Sequence, residues 1–283
     1  MKKKVFLFGL LFSLLLLCGC GVNLTSTVKL NKDFSGTRVM SCTFSSRDFH
    51  SYFKGSKEDL NKLIKESCPD ALTYTSSSSD GNDTYTFYLR FSSLDDYKKK
   101  VRDLLNFSPE ITYEYGDSPF VSGLIYKENF TSKDLMTWLY TALYEGKYID
   151  KDSSSDLWDL KSTEISFLGT TYETKDKINI DEMAYVPLSS IHIDTKTKKS
   201  GKLARVIEFD LPQQTLDQNA GKIRSYFAGN DITWENTSDG KTLCISFDAN
   251  NFSDLAQKTR TVLHSKNSFG TYSSTCSKDN PFT

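Results

Sequence analysis

Thiols are the residues of this chain with the least generic chemistry. Its 283 residues hold six cysteines and only three histidines. Cys42, Cys68, Cys244 and Cys276 are spread along the chain, and in an oxidising compartment four thiols allow three pairings. Facing narrows the choice. Cys42 lies on the apolar side of an alternating strand and Cys68 on the apolar stripe of a helix. They read either as one bridge or as two small buried residues. Cys244 points away from Leu243 and Ile245, beside Thr242 and Ser246, and the tail carrying Cys276 can cross that face. This predicts a Cys244–Cys276 bridge.

Other chemistry is sparse. His50, His192 and His264 fall in three different elements, and neither His-x-x-x-His nor Cys-x-x-Cys spacing occurs. The run Asp150-Lys-Asp152-Ser-Ser154-Ser-Asp156 alternates oxygen side chains as calcium loops do. Ser155 and Lys161 stand where an EF-hand needs Gly and Glu, so it reads as a solvated turn. There is no Gly-x-Ser-x-Gly turn and no glycine-rich phosphate loop. The pattern predicts no catalytic residue, no metal and no cofactor. The acid–base chemistry that spacing would miss is a carboxylate pair meeting in a groove.

The two remaining thiols close the N-terminal segment. Lys2–Lys4 are followed by an apolar run, Val5–Leu17. That run is shorter than the ~20 residues of a membrane-spanning helix and suits a signal peptide. Leu17-Cys18-Gly19-Cys20 resembles a bacterial lipobox, with Cys18 in place of the more usual Ser, Thr or Ala. The resemblance implies cleavage between Gly19 and Cys20 and a diacylglyceryl group on the Cys20 thiol. Two acyl chains anchor stably where one does not. A polar strand, a Ser-Gly turn and a second strand soon after Cys20 also resemble the opening of uncharacterised Gram-positive lipoproteins. Together these imply the extracytoplasmic face of a Gram-positive cell membrane. Strand-like alternation begins near Ser26, so residues 20–25 read as a tether of less than ~20 Å.

Losing residues 1–19 removes three lysines and leaves 32 basic and 36 acidic residues, a net charge of −4. Nucleic acid is a poor partner for such a body. The partners expected are the membrane, through lipid, and an envelope protein or glycan.

The elements that would position a site recur in one order at both ends of the chain. The first copy, 26–106, opens with Val28-Lys29-Leu30, a turn ending in Ser35-Gly36, and a strand with Met40, Cys42 and Phe44 alternating. The second, 189–265, opens with Ile191-His192-Ile193, a turn ending in Ser200-Gly201, and a strand carrying Leu203, Ile207 and Phe209. Matching the two Ser-Gly pairs sets Arg205 against Met40, an imperfect fit. Each copy continues with a helix, striped by Leu60, Leu63, Ile64 and Cys68 or by Leu216, Ala220, Ile223 and Phe227. A hairpin follows, then a last helix capped at Ser93 or Asn251, with Asp96 or Asp254 three residues on.

This predicts an α+β fold of two repeated ββαββα units, antiparallel sheets with helices on one face. A mixed middle segment, 107–188, joins them, and 266–283 is a tail. Within the middle segment, Thr131 to Glu145 reads as one capped helix. The runs Ser76–Ser79 and Ser153–Ser155 read as loops.

The functional expectation is a non-enzymatic, membrane-proximal binding or interaction module of the cell envelope. The alternative is an envelope hydrolase acting on glycan or peptide through a carboxylate pair. A third reading, a transporter's solute receptor, needs alternating βαβ units that the hairpin-rich pattern lacks.

Overall fold

The computed structural model describes residues 22–47, 53–150 and 157–264. The signal peptide, the lipobox with Gly19 and Cys20, His50, residues 151–156, and the tail with Cys276 lie outside the described residues. The fold is mixed α+β, with fourteen strands in three antiparallel or mixed sheets and six helices among the described residues. Two compact units divide it. Unit 1 holds residues 22–115 and 124–182, and unit 2 holds residues 116–123 and 183–264. The segment 107–188 is therefore not a body of its own.

Unit 1 opens with strands β1 (Val22–Leu30) and β2 (Gly36–Ser45), then helix α1 (Lys57–Ser67). Strands β3 (Thr73–Ser79) and β4 (Asn82–Phe91) and helix α2 (Leu94–Leu105) follow. Strands β5 (Ile111–Asp117) and β6 (Val121–Glu128) form a hairpin whose tip is counted in unit 2. Helices α3 (Ser132–Leu135) and α4 (Thr137–Glu145) and strands β7 (Trp158–Phe167), β8 (Thr170–Thr174) and β9 (Asn179–Asp181) complete the unit. The main sheet runs β3-β4-β2-β1-β7-β8, and β7 pairs with β1 in parallel over its whole length.

Alternation dictates these strands, with exceptions that mattered. β1 starts at Val22, one residue after Gly21, rather than near Ser26. Val22, Leu24, Val28 and Leu30 face the core, but Ser26 also faces inward and is buried. A hydroxyl on the apolar side hid the first half of the strand from a hydropathy reading. The Ser76–Ser79 run is strand rather than loop, an exposed edge held to β4 by backbone pairing. Thr131 to Glu145 is two helices, because the chain leaves helical geometry at Met136 (φ −99°, ψ 7°) through a tight turn closed onto the Lys133 carbonyl.

The β1–β2 turn brings the chain close upon itself. A side chain at Gly36 would lie 2.1 Å from the Lys29 carbonyl oxygen, so only glycine fits. Phe34 takes a left-handed conformation (φ 62°) that bulky residues avoid. Its ring is buried among Phe91, Tyr97, Tyr113 and Tyr126, with centroids 4.7 to 5.6 Å away.

Unit 2 adds the short strand β10 (Ala184–Tyr185) against the β5–β6 tip. Strands β11 (Ser190–Thr197) and β12 (Leu203–Pro212) and helix α5 (Gln213–Tyr226) follow, then β13 (Ile232–Asn236), β14 (Gly240–Ala249) and helix α6 (Phe252–Val262). Its sheet runs β11-β12-β14-β13 and is antiparallel throughout. Ile207, Phe209, Leu211, Leu243 and Ile245 form its core with Ile223 and Phe227 of α5, and Phe120 stacks on Phe209.

Four helices carry acidic caps, α3 through Asp134 and α1, α2 and α6 through residues whose carboxyls are shifted. Asp59, Asp96 and Asp254 accept the backbone N–H of Ser56, Ser92 and Asn250, which holds each carboxyl below its ordinary value of 3.8. A carboxyl depressed on folding adds stability above its unfolded pKa and loses it as pH falls through the folded value. The double change Asp96→Asn, Asp254→Asn should therefore flatten the acid limb of the stability profile below about pH 4, measured as urea midpoint against pH. Separately, Gly36→Ala should lower the unfolding free energy by about 1–3 kcal/mol in urea, because the hairpin must open to admit one methyl group.

Candidate functional site

An arginine stands on the apolar side of the second strand in both units, and its surroundings differ sharply. In unit 1 it is Arg38, wholly buried. Its Nη1 donates to Glu128 Oε2 and to the Tyr97 hydroxyl, both at 2.7 Å, and its Nη2 donates to Ser132 Oγ at 2.8 Å. Glu128 Oε1 accepts from Tyr97 at 2.7 Å and also from Tyr126. Ser132 continues the chain to Thr163 at 3.1 Å. Burial disfavours the Arg38 charge, but Glu128, Tyr97 and Tyr126 together more than offset it and the guanidinium stays charged. Burial pushes the phenols of Tyr97 and Tyr126 up, so both remain donors. Only Nε of Arg38 lacks a partner among the described residues.

The sequence shows the signal that betrays this network. Gly36, Arg38, Met40, Cys42 and Phe44 share one strand parity, and so do Leu124, Tyr126 and Glu128. A charge on the apolar parity of each strand calls for a partner. Neither residue was singled out from sequence.

In unit 2 the arginine is Arg205. Counted from the hairpin turn, the third pair is Val28 with Arg38 in one unit and Thr195 with Arg205 in the other. Arg205 therefore stands at the position of Arg38, not of Met40. The Ser-Gly pairs misled because Ser200-Gly201 lies wholly within its turn, whereas Gly36 is already strand. Arg205 donates from Nε to Thr195 Oγ1 at 2.9 Å and from Nη1 to Thr259 Oγ1 at 2.8 Å. Among the described residues no carboxylate lies within ion-pair distance of it.

Arg205 lines a cavity of about 350 Å³ with Thr195, Thr197, Leu203, Phe252 and Leu255. The neighbouring surface carries exposed apolar side chains. Ile191 and Ile193 are each 52% exposed and Phe252 is 56% exposed. All eight residues of β11 are exposed, and among the described residues its outer edge pairs with nothing.

Unit 1 has a larger groove, about 650 Å³, between α1, the end of α2, and α4. Trp138 and the half-exposed Phe107 line it together with Asp103, Asp134 and Glu145. Asp134 is already engaged, accepting the N–H of Thr131 at 2.7 Å as a helix cap.

The thiols lie in neither groove. Cys42, Cys68 and Cys244 are free in the structure, so the Cys42–Cys68 pairing is not formed there, and Cys276 lies outside the described residues. Cys42 sits in the sheet core, where burial pushes its thiol up. Cys68 closes α1, its backbone N–H bonded to Ile64. Cys244 does face away from Leu243, level with Glu208 and Thr233, and burial and the nearby Glu235 and Glu208 raise its thiol. Thiols raised in this way are poor nucleophiles at neutral pH. His192 is exposed on β11, and His264 packs on Tyr226 at a centroid distance of 4.3 Å. No group of three His, Cys, Asp or Glu side chains among the described residues is placed to hold a metal ion. No helix among them is long and apolar enough to cross a membrane.

No protein-family model matches the chain, and no curated protein is significantly similar to it.

The Arg38 network predicts a strong asymmetry. Arg38→Met should cost about 3–5 kcal/mol of unfolding free energy, because Glu128 is left charged and buried. Adding Glu128→Leu should recover part of that loss, since no unpaired charge remains. Urea unfolding followed by tyrosine fluorescence checks both.

Proposed function

We propose that the chain is a membrane-anchored extracytoplasmic lipoprotein whose folded part is a non-enzymatic binding or interaction module of the cell envelope. The Leu17-Cys18-Gly19-Cys20 lipobox carries this reading. The start of β1 at Val22 adds to it, since lipid on Cys20 would be only one residue from a strand paired on both sides. Such a body would lie at the bilayer surface rather than on a stalk.

We also propose that the ββαββα unit is duplicated. Three features support this. The hairpins β1–β2 and β11–β12 each make eight pairs around a five-residue turn, with left-handed Phe34 and Gly201 at the same place in it. Strands β4 and β14 have ten residues each and lie two residues ahead of helices α2 and α6. At those junctions Lys100 reaches the Arg90 carbonyl and Lys258 the Asp248 carbonyl, both at 2.9 Å. The β3–β4 and β13–β14 turns differ in length, which is where a gapless alignment slips.

A second reading, a hydrolase of envelope glycan or peptide, draws on Asp103 and Glu145 beside Trp138 in the unit 1 groove. It is the weaker one, because among the described residues neither is held by a charged partner, and the third carboxylate there caps a helix.

In detergent phase partitioning, the chain expressed in a bacterium should enter the detergent phase, and Cys20→Ala should return it to the aqueous phase. Intact mass should show a diacylglyceryl adduct on a chain beginning at residue 20. A wild-type chain in the aqueous phase with an unmodified first residue would sink the reading.

A further inference from the structure

We infer that the free edge of β11, together with the Arg205 cavity, is a docking site for an extended segment of another polypeptide. That segment would add as a strand and place a carboxylate on Arg205. This deepens the binding-module reading and rests on the proposed duplication.

The argument is a comparison of two register-matched positions. In unit 1 the outer edge of β1 is covered by β7, paired in parallel from Val22 with Trp158 to Leu30 with Phe167. Beneath it, Glu128 neutralises Arg38. Leu24 and Val28 are consequently 0% exposed and Ser26 is 4% exposed. The residues at the same pair positions in unit 2 are Ile191, Ile193 and Thr195, all exposed. Among the described residues, unit 2 has the first hairpin and its arginine but neither the covering strand nor the carboxylate. In unit 1 two elements fill these roles, β7 on the strand edge and Glu128 of β6 on the arginine; in unit 2 both roles are open among the described residues.

The chemistry of the missing occupant follows from what would satisfy the site. An open strand edge offers a row of backbone donors and acceptors, which an extended peptide satisfies by adding a strand. The regular β11–β12 ladder has no bulge or proline to spoil that edge. By contrast, the β3 edge in unit 1 presents serines, a polar face that gives an apolar strand nothing to pack on. Ile191, Ile193 and Phe252 call for apolar side chains at alternate positions. Arg205, whose bonds are to two neutral hydroxyls, calls for Asp or Glu, the charge-assisted partner that Arg38 already has.

The probe is a synthetic ten-residue peptide that alternates valine with threonine and carries one central glutamate. It is titrated against the full chain in detergent, with amide hydrogen exchange read over residues 190–197. The peptide should slow exchange across β11. Replacing its glutamate by glutamine should weaken binding roughly tenfold, as for loss of one charge-assisted hydrogen bond. Arg205→Gln should do the same with the original peptide and leave the glutamine peptide unaffected. The peptide-side change guards against a variant that misfolds.

Unprotected β11 amides at saturating peptide, or equal binding of both peptides, would overturn the proposal. So would β11 amides already protected in the free chain and released on deleting residues 265–283, which would make the chain's own tail the occupant. A concentration-dependent dimer that buries β11 would assign the edge to a second copy and overturn it too. None of these results bears on Cys20, which phase partitioning tests separately.

Discussion

Arg38 enters the interior of unit 1 from a central strand of its sheet, and its own hairpin has no carboxylate to meet it. The partner, Glu128, lies 90 residues further along the chain. Ionised groups are not left unpaired in a protein interior, because the desolvation penalty of each amounts to several kcal/mol. The pairing therefore requires β6 to come down onto the β1–β2 hairpin. Tyr97 from α2 and Ser132 from α3 accept from Arg38, and Tyr97 and Tyr126 of β6 donate to Glu128. One interaction thus gathers four elements, β2, α2, β6 and α3, and it explains why the segment 124–182 packs with the first hundred residues rather than standing apart.

The same constraint, left unmet, distinguishes unit 2. Arg205 has the register position of Arg38, but its surroundings are two threonine hydroxyls and an open cavity. It can remain there because it is only partly buried and so keeps part of its hydration. In unit 1 the sheet is extended by β7 and the arginine is neutralised. In unit 2 the sheet ends at β11 with two isoleucines exposed. The proposed duplication, with one copy capped, would account for this difference and directs attention to the uncapped edge rather than to the thiols.

The thiols illustrate how chemistry that stands out in a sequence can recede in a structure. Cys42 is a small core residue and Cys68 ends a helix. Cys244 has its thiol raised first by burial and then by the nearby Glu235 and Glu208. None lines the grooves of either unit. The residues that build the edge site, Arg205 and the isoleucines of β11, carry no motif. Their meaning comes from what lies opposite them in the other unit.

Local physics was legible in the residues themselves. Alternation marked β2, β4, β12 and β14, and Ser93 with Asp96 and Asn251 with Asp254 marked the starts of α2 and α6. Such signals depend on neighbours a few residues apart, so the chain alone determines them. Register was not legible. Ser26 and Arg38 look like surface residues until a partner is known, and an alignment anchored on Ser-Gly slips by two places because turn and strand glycines have different causes. Which charge meets Glu128, which strand covers β1, and that β11 is uncovered among the described residues are matters of long-range pairing. Only the tertiary structure decides them, because their energies depend on burial that no local segment contains.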